Sequence, residues 1–199
     1  MEWKEYYEYI ASIARTELDI RERIAKIHAD VNQHYDEKPY FYHLDKVGRL
    51  VVKYLQEIVN KKEDIIPVIF GAYFHDSIED ARLTYNDVLK IAKEYMTDKQ
   101  ALLATEIVYA LTNEKGRNRH ERANEKYYFG IRVIPYAPLV KACDRLANYN
   151  YAKETHSKMV SCYEKEMEYF IGCLLPNDMN IESPYSIPEK LLSDLRNKE

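Results

Sequence analysis

The sequence predicts an all-α fold, a single helical bundle of about seven to nine helices, and three observations carry that expectation. Glycine is scarce, at 5 of 199 residues, while Leu, Ile, Lys, Glu and Ala are plentiful, a balance that favours helices over a turn-rich β fold. Apolar residues recur at helical spacing along most of the chain. No segment shows the strict apolar and polar alternation of a half-buried strand.

Taken in order, residues 3 to 30 carry Ile10, Ile13, Ala14, Leu18, Ile24 and Ile27 on one stripe that continues to Val31, with a break expected near Leu18-Asp19. A turn-like segment, Gln33-His-Tyr-Asp-Glu-Lys-Pro39, follows. From Phe41 to about Val59 the positions Leu44, Val47, Leu50, Val51, Tyr54, Leu55 and Ile58 predict a strongly amphipathic helix. Asp64 is placed to cap a helix through Phe74. Thr84-Tyr-Asn-Asp87 reads as a capping-box variant for a helix reaching about Tyr95, and another helix spans 98 to 112. Asn113 to Arg122 is polar and basic, a loop running into a short helix. Pro135 and Pro138 bracket the start of a helix through Asn148, Tyr151 to Leu175 makes a long one, and a last short helix follows Pro188. One domain is expected over 1–199, with a functional core at about 20–150 and the helices of 151–199 packed on it.

The net charge of −4 argues against nonspecific nucleic-acid binding as the main role. Three cysteines, Cys143, Cys162 and Cys173, lack metal-type spacing and read as buried thiols in a reducing compartment rather than as a disulfide framework. The start, MEWKEYYEYI, is too charged for a signal peptide, and no apolar run reaches membrane-spanning length, so a cytoplasmic protein without a membrane partner is expected. The 19 tyrosines sit mostly at helical spacings and read as core and rim residues.

One stretch breaks the amphipathic pattern. His75-Asp-Ser-Ile-Glu-Asp80 puts an imidazole and three carboxylates directly behind an apolar run, where charge is costly unless something neutralises it. At the last turn of a helix His75 and Asp76 can both lean on one ion. Glu79 and Asp80 lie one helical turn beyond them and would overhang the same spot. Two further donors stand in apolar surroundings: His43 early on its helix and Asp144 within Leu139-Val-Lys-Ala-Cys-Asp-Arg-Leu146. A lone buried carboxylate at Asp144 would be expensive, whereas one on a metal is not. The plainer alternatives are a solvated helix end at 75–80 and a surface pair of Asp144 with Lys141 or Lys53.

The order H…HD…D over three helices resembles the HD-domain metal-dependent phosphohydrolases. HDxxED at 75–80, Pro39-Tyr-x-x-His43 and Val140-Lys-Ala-Cys-Asp-Arg-Leu-Ala-Asn148 are similar to the RelA/SpoT-type alarmone hydrolases, especially their small stand-alone members. Ala110-Leu-Thr-Asn-Glu-Lys115 with Glu121-Arg122 parallels further elements of that group, and order and spacing agree over roughly residues 20 to 150. The chain departs from the pattern at Leu44, where relatives usually carry Pro, and at Ala147, where they often carry His. Residues 32–38 also lack Arg, where relatives place a basic stretch that helps hold guanine.

The resemblance implies His43, His75, Asp76 and Asp144 as metal ligands and Glu79 and Asp80 as the pair that orients and deprotonates water. The mixed imidazole and carboxylate set suits Mn²⁺ or another first-row divalent ion. The implied reaction removes the 3′-pyrophosphate of a guanosine tetra- or pentaphosphate. Lys115, Arg117, Arg119, His120 and Arg122 form the densest basic stretch, read either as a phosphate grip or as a solvated loop. Asn148 shares a helix face with Asp144 and can reach a ribose or phosphate, while Arg145 points aside into an ion pair. Two alternatives remain: a general HD phosphohydrolase acting on another nucleotide or phosphoester, and a non-catalytic nucleotide-sensing or partner-binding protein. Self-association is left open.

Overall fold

The structure, a computed structural model, describes residues 1–113, 117–175 and 185–198. Helices dominate it. Helices α1 (Trp3–Ser12) and α2 (Ala14–Asp30) divide the first stripe at Ile13 rather than near Leu18-Asp19. Tyr6 is fully buried and its hydroxyl donates to the Val52 carbonyl at 2.8 Å, which ties α1 to the helix that carries Val52. Leu18 stays exposed and leaves α2 uninterrupted.

The turn-like segment is a minimal hairpin, β1 (His34–Tyr35) against β2 (Lys38–Pro39), antiparallel. Asp36 takes the left-handed backbone at φ 52° that closes it, a conformation short polar residues tolerate. With two residues per strand there is no alternation to read in the sequence.

Helix α3 (Phe41–Leu55) stops short of Val59, although Ile58 and Val59 remain in the core. A 3-10 turn (Lys62–Asp64) leads into α4 (Ile65–Phe74), every residue of which is buried. A helix apolar on all sides belongs at the centre of a bundle, and α4 packs against α2, α3 and helix α6 (Asp98–Leu111). Asp64 does not cap it through its side chain; its carboxylate instead accepts from the Tyr136 hydroxyl at 2.9 Å.

Helix α5 (Tyr85–Ala92) starts from the capping box of Thr84 and Asp87, and α6 from that of Thr97 and Gln100. Two short helices, α7 (Arg119–Arg122) and α8 (Glu125–Arg132), follow. Pro138 sits in the first turn of α9 (Ala137–Glu154), where its missing N–H costs nothing. Helix α9 runs past Asn148, and the break before α10 (Met159–Leu174) falls later, at 155–158, because Tyr149 and Ala152 continue its buried stripe. Helix α11 (Glu189–Arg196) closes back on α9 and α10. Two short helices, α7 and α8, stand where one was expected, so the helical segments among the described residues exceed seven to nine.

One apolar cluster runs from Tyr6 to Leu195 through these helices. Among the described residues, no helix is long and apolar enough to cross a membrane. Among the described residues Cys143, Cys162 and Cys173 form no disulfide; Cys143 and Cys173 are buried and Cys162 is half-buried.

Candidate metal centre

Three helices bring candidate metal ligands to one point. The first turn of α3 supplies His43, the C-terminal end of α4 supplies His75, and the middle of α9 supplies Asp144; they are 2%, 1% and 8% exposed. The His43 and His75 Nε2 atoms stand 3.4 Å apart, and Asp144 Oδ1 lies 3.3 and 3.8 Å from them. Each residue offers one donor atom within 4.8 Å of the others, so the group could hold a metal ion. Asp76 Oδ2 joins the same space, 3.0 Å from His75 Nε2 and 3.6 Å from His43 Nε2. Ligands at about 2.1 Å from a shared ion stand about 3.0–3.4 Å apart in tetrahedral or octahedral neighbouring positions, so these spacings suit such an ion.

The supports around the donors fix their orientation. His75 Nδ1 lies 2.8 Å from the Ala72 carbonyl, which can only accept, so Nδ1 carries a proton and Nε2 faces the cluster. Asp144 is held on both oxygens, Oδ2 by Lys141 Nζ at 3.0 Å and Oδ1 by Asn148 Nδ2 at 2.6 Å. The Asn148 side-chain Oδ1 accepts from the Tyr35 hydroxyl at 2.8 Å, and the Tyr35 ring stacks on His43 with centroids 4.9 Å apart. The hairpin thus packs directly on a candidate ligand.

The electrostatics match a cation site. Burial opposes the charged form of His75, but the Asp76 and Asp144 carboxylates outweigh it and raise its pKa to about 10. Burial likewise disfavours ionised Asp76, yet His75 beside it lowers its pKa to about 2. Asp144 is held well below the usual carboxylate range, against its burial, by Lys141 and both imidazoles. A proton on His75 does here what a bound cation would do.

The acidic pair beyond His75 and Asp76 divides. Helix α4 ends at Phe74, but the turns from 75 to 80 keep a helix-type bond from the Asp80 N–H to the Asp76 carbonyl at 2.8 Å, which leaves Asp80 over Asp76 while Glu79 faces elsewhere. Asp80 stays close: the Tyr40 hydroxyl is 2.6 Å from Asp80 Oδ2 and 2.7 Å from Asp76 Oδ2. A hydroxyl has one proton, so it donates to one of these carboxylates at a time. Burial raises the Asp80 pKa, with the Tyr40 hydrogen bond working against it and Asp76 adding to it. Glu79 instead accepts from Asn113 Nδ2 at 2.7 Å and faces Arg122 at 3.9 Å.

Of the basic stretch, Lys115 and the side chains of Arg119 and His120 lie outside the described residues. Arg117 is exposed and pairs with Glu121 at 2.9 Å, and nothing brings it to the cluster. Arg122 reaches the cleft through Glu79. Arg145 points aside, 3.2 Å from Glu166 and stacked over Phe170 at 4.2 Å.

Tyr35, Tyr40 and Lys141 escaped the sequence reading as site residues. Tyr40 lies inside the P-Y-x-x-H motif and Lys141 one helical turn before Asp144, which are the signals that mark them. The Lys141–Asp144 pair weighed as a surface contact does form, but its side chains are only 16% and 12% exposed. His28 is fully buried and stacked on Tyr40 at 4.5 Å. Among the described residues neither of its ring nitrogens has a hydrogen-bond partner, and burial lowers its pKa to about 4, only partly offset by Asp76.

A polar cleft of about 230 Å³ opens beside Asp144, Lys141 and Asn148 and reaches Glu79, Asn113 and Arg122. A larger cavity of about 500 Å³ between α6 and α8 shares Asn113 and Tyr127 with it but touches none of the four candidate ligands. No family model matches the chain, nor does any curated protein or solved structure.

Proposed function

We propose that this chain is a divalent-metal-dependent phosphohydrolase of the HD type, acting on a nucleotide and releasing pyrophosphate, with the 3′-pyrophosphate of guanosine tetra- or pentaphosphate as the leading substrate. The observation that carries the reading is the convergence of His43, His75 and Asp144 from three helices, with Asp76 beside them, at spacings of 3.0 to 3.8 Å. The motif order described above supplies the reaction class.

His43, His75, Asp76 and Asp144 would hold the ion, for which Mn²⁺ suits the mixed donor set. When bound, the ion supplies Lewis acidity that polarises a phosphoryl oxygen and acidifies water. Asp80 takes the proton from the attacking water, a role that its raised pKa and its place beside Asp76 support. Tyr40 holds the Asp80 carboxylate toward the ligands. Glu79 faces the cleft with Asn113 and Arg122 and belongs to substrate positioning. Asn148, fixed by Asp144 and Tyr35, leaves little freedom to turn toward a ribose, so its part is to orient Asp144.

A second reading, an HD phosphohydrolase for another phosphoester, is favoured by one feature. Where the alarmone hydrolases carry a basic stretch, Tyr35 packs on His43 and its neighbour His34 is exposed.

The test is incubation of the Mn²⁺-loaded protein with purine nucleotides, including 3′-pyrophosphorylated guanosine and adenosine, while pyrophosphate release is followed. Turnover is expected to fall by about 10²-fold or more in Asp80→Asn and less in Glu79→Gln. Release from the adenosine form alone would select the second reading. No release from any member of the panel would overturn the first.

A further inference from the structure

The outer faces of α6 and α8 together form an apolar patch. Four of the ten large apolar side chains that stay exposed among the described residues stand there: Leu102, Tyr109, Phe129 and Val133. Helical spacing puts Leu102, Glu106 and Tyr109 on one face of α6, and Lys126, Phe129, Gly130 and Val133 on one face of α8. Single exposed apolar residues need no explanation, but a patch of them rimmed by charge marks an interface.

Between the two helices lies the cavity of about 500 Å³, walled in part by Tyr109, Gly130 and Val133. A Cβ on Gly130 would meet nothing among the described residues within 4 Å, so packing within the chain does not call for a glycine that lowers helix propensity. Its missing side chain leaves the groove open instead. Phe129, exposed and next to Gly130, is a knob beside that hole. Charge follows the same pattern: Glu106 stands on the α6 wall and Lys126 on the α8 wall. The Tyr85 hydroxyl donates to Glu106 at 2.6 Å and its ring meets Tyr109 edge-on at 5.5 Å, which orients the α6 wall. A knob beside its own hole, with an acid on one wall and a base on the other, is self-complementary, as a two-fold interface requires. A partner of different sequence calls for no such matching within one surface.

We propose that this face is the interface of a homodimer. Phe129 of each chain enters the groove between α6 and α8 of the other, and Glu106 pairs with Lys126 of the second copy. The groove touches none of the four candidate metal ligands, so the proposal stands apart from the metal-centre reading.

The test is sedimentation velocity of the full chain over a range of concentrations. Wild type is expected to be mostly dimeric at about 100 μM, as a Kd of about 10 μM or tighter gives. Phe129→Ser removes the knob at an exposed position, and Gly130→Leu fills the hole where the chain leaves room. Neither threatens folding, and each is expected to weaken dimerisation at least about tenfold. Glu106→Lys and Lys126→Glu are each expected to weaken it several-fold, and the double reversal to recover toward wild type. A wild type that stays monomeric up to about 100 μM overturns the second copy as the occupant of this face. Dimers as tight as wild type in both Phe129→Ser and Gly130→Leu overturn the face as their interface. A double reversal no tighter than either single reversal overturns the two-fold pairing.

Discussion

Asp144 shows how much one side chain carries here. It faces both imidazoles, holds Lys141 and is oriented by Asn148, all from one stretch of α9. Its importance was legible in the sequence because an acid among Leu139, Val140, Cys143 and Leu146 demands a partner. The separation of Glu79 from Asp80 was not legible, since it depends on distant partners, Asn113 for Glu79 and Tyr40 for Asp80. Lys141 was visible as a neighbour, but its burial depends on Tyr127, a distant residue whose ring it faces at 5.7 Å. The charge state of His75 gives a prediction. With its pKa raised to about 10, the metal-free imidazole is protonated at pH 7, and Nε2 must lose that proton to ligate an ion. Binding of Mn²⁺ at pH 7 therefore releases about one proton, and affinity rises with pH until about 10. Calorimetry in buffers of different ionisation enthalpy measures the number; a binding enthalpy independent of buffer would contradict it.

Among the elements, α4 is the one on which the site hangs. A helix ending at Phe74 was legible from its apolar run, and the capping box at Thr84 announced the start of α5. The breaks at Ile13 and at 155–158 were harder to place, because they follow from docking of Tyr6 and Tyr149 rather than from local breakers. Helices α3 and α4 approach closely at Gly48, where an added Cβ would lie 2.5 Å from the Tyr73 ring. Tyr73 cannot yield freely, since its hydroxyl donates to Glu17 at 2.9 Å on α2. Gly48→Ala is expected to destabilise the fold by about 1–3 kcal/mol and to weaken metal binding by moving His43 away from His75. Gly172→Ala on α10, where a Cβ meets nothing within 4 Å, is expected to be neutral or to stabilise by up to about 1 kcal/mol. Urea midpoints check both, and equal midpoints for the two variants would refute the close-packing account.

At the scale of the whole molecule, the bundle places the start of α3, the end of α4 and the centre of α9 around one point and covers it with the hairpin. The all-α class followed from composition and spacing, and the residues that meet at the point followed from their apolar settings. What covers them did not: Tyr35 and Tyr40 reach the cluster through tertiary packing, and a pattern of 19 tyrosines at helical spacings does not separate these two from core residues. The central claim is that His43, His75, Asp76 and Asp144 form one divalent-cation site. The most direct measurement is a Mn²⁺ titration of the chelator-treated protein, followed by the electron paramagnetic resonance of the free ion, for wild type and for His43→Ala, His75→Ala, Asp76→Asn and Asp144→Asn. The account predicts one tight site per chain, weakened at least tenfold in each folded variant. Wild type without a tight site, or four folded variants that bind as wild type does, would contradict it.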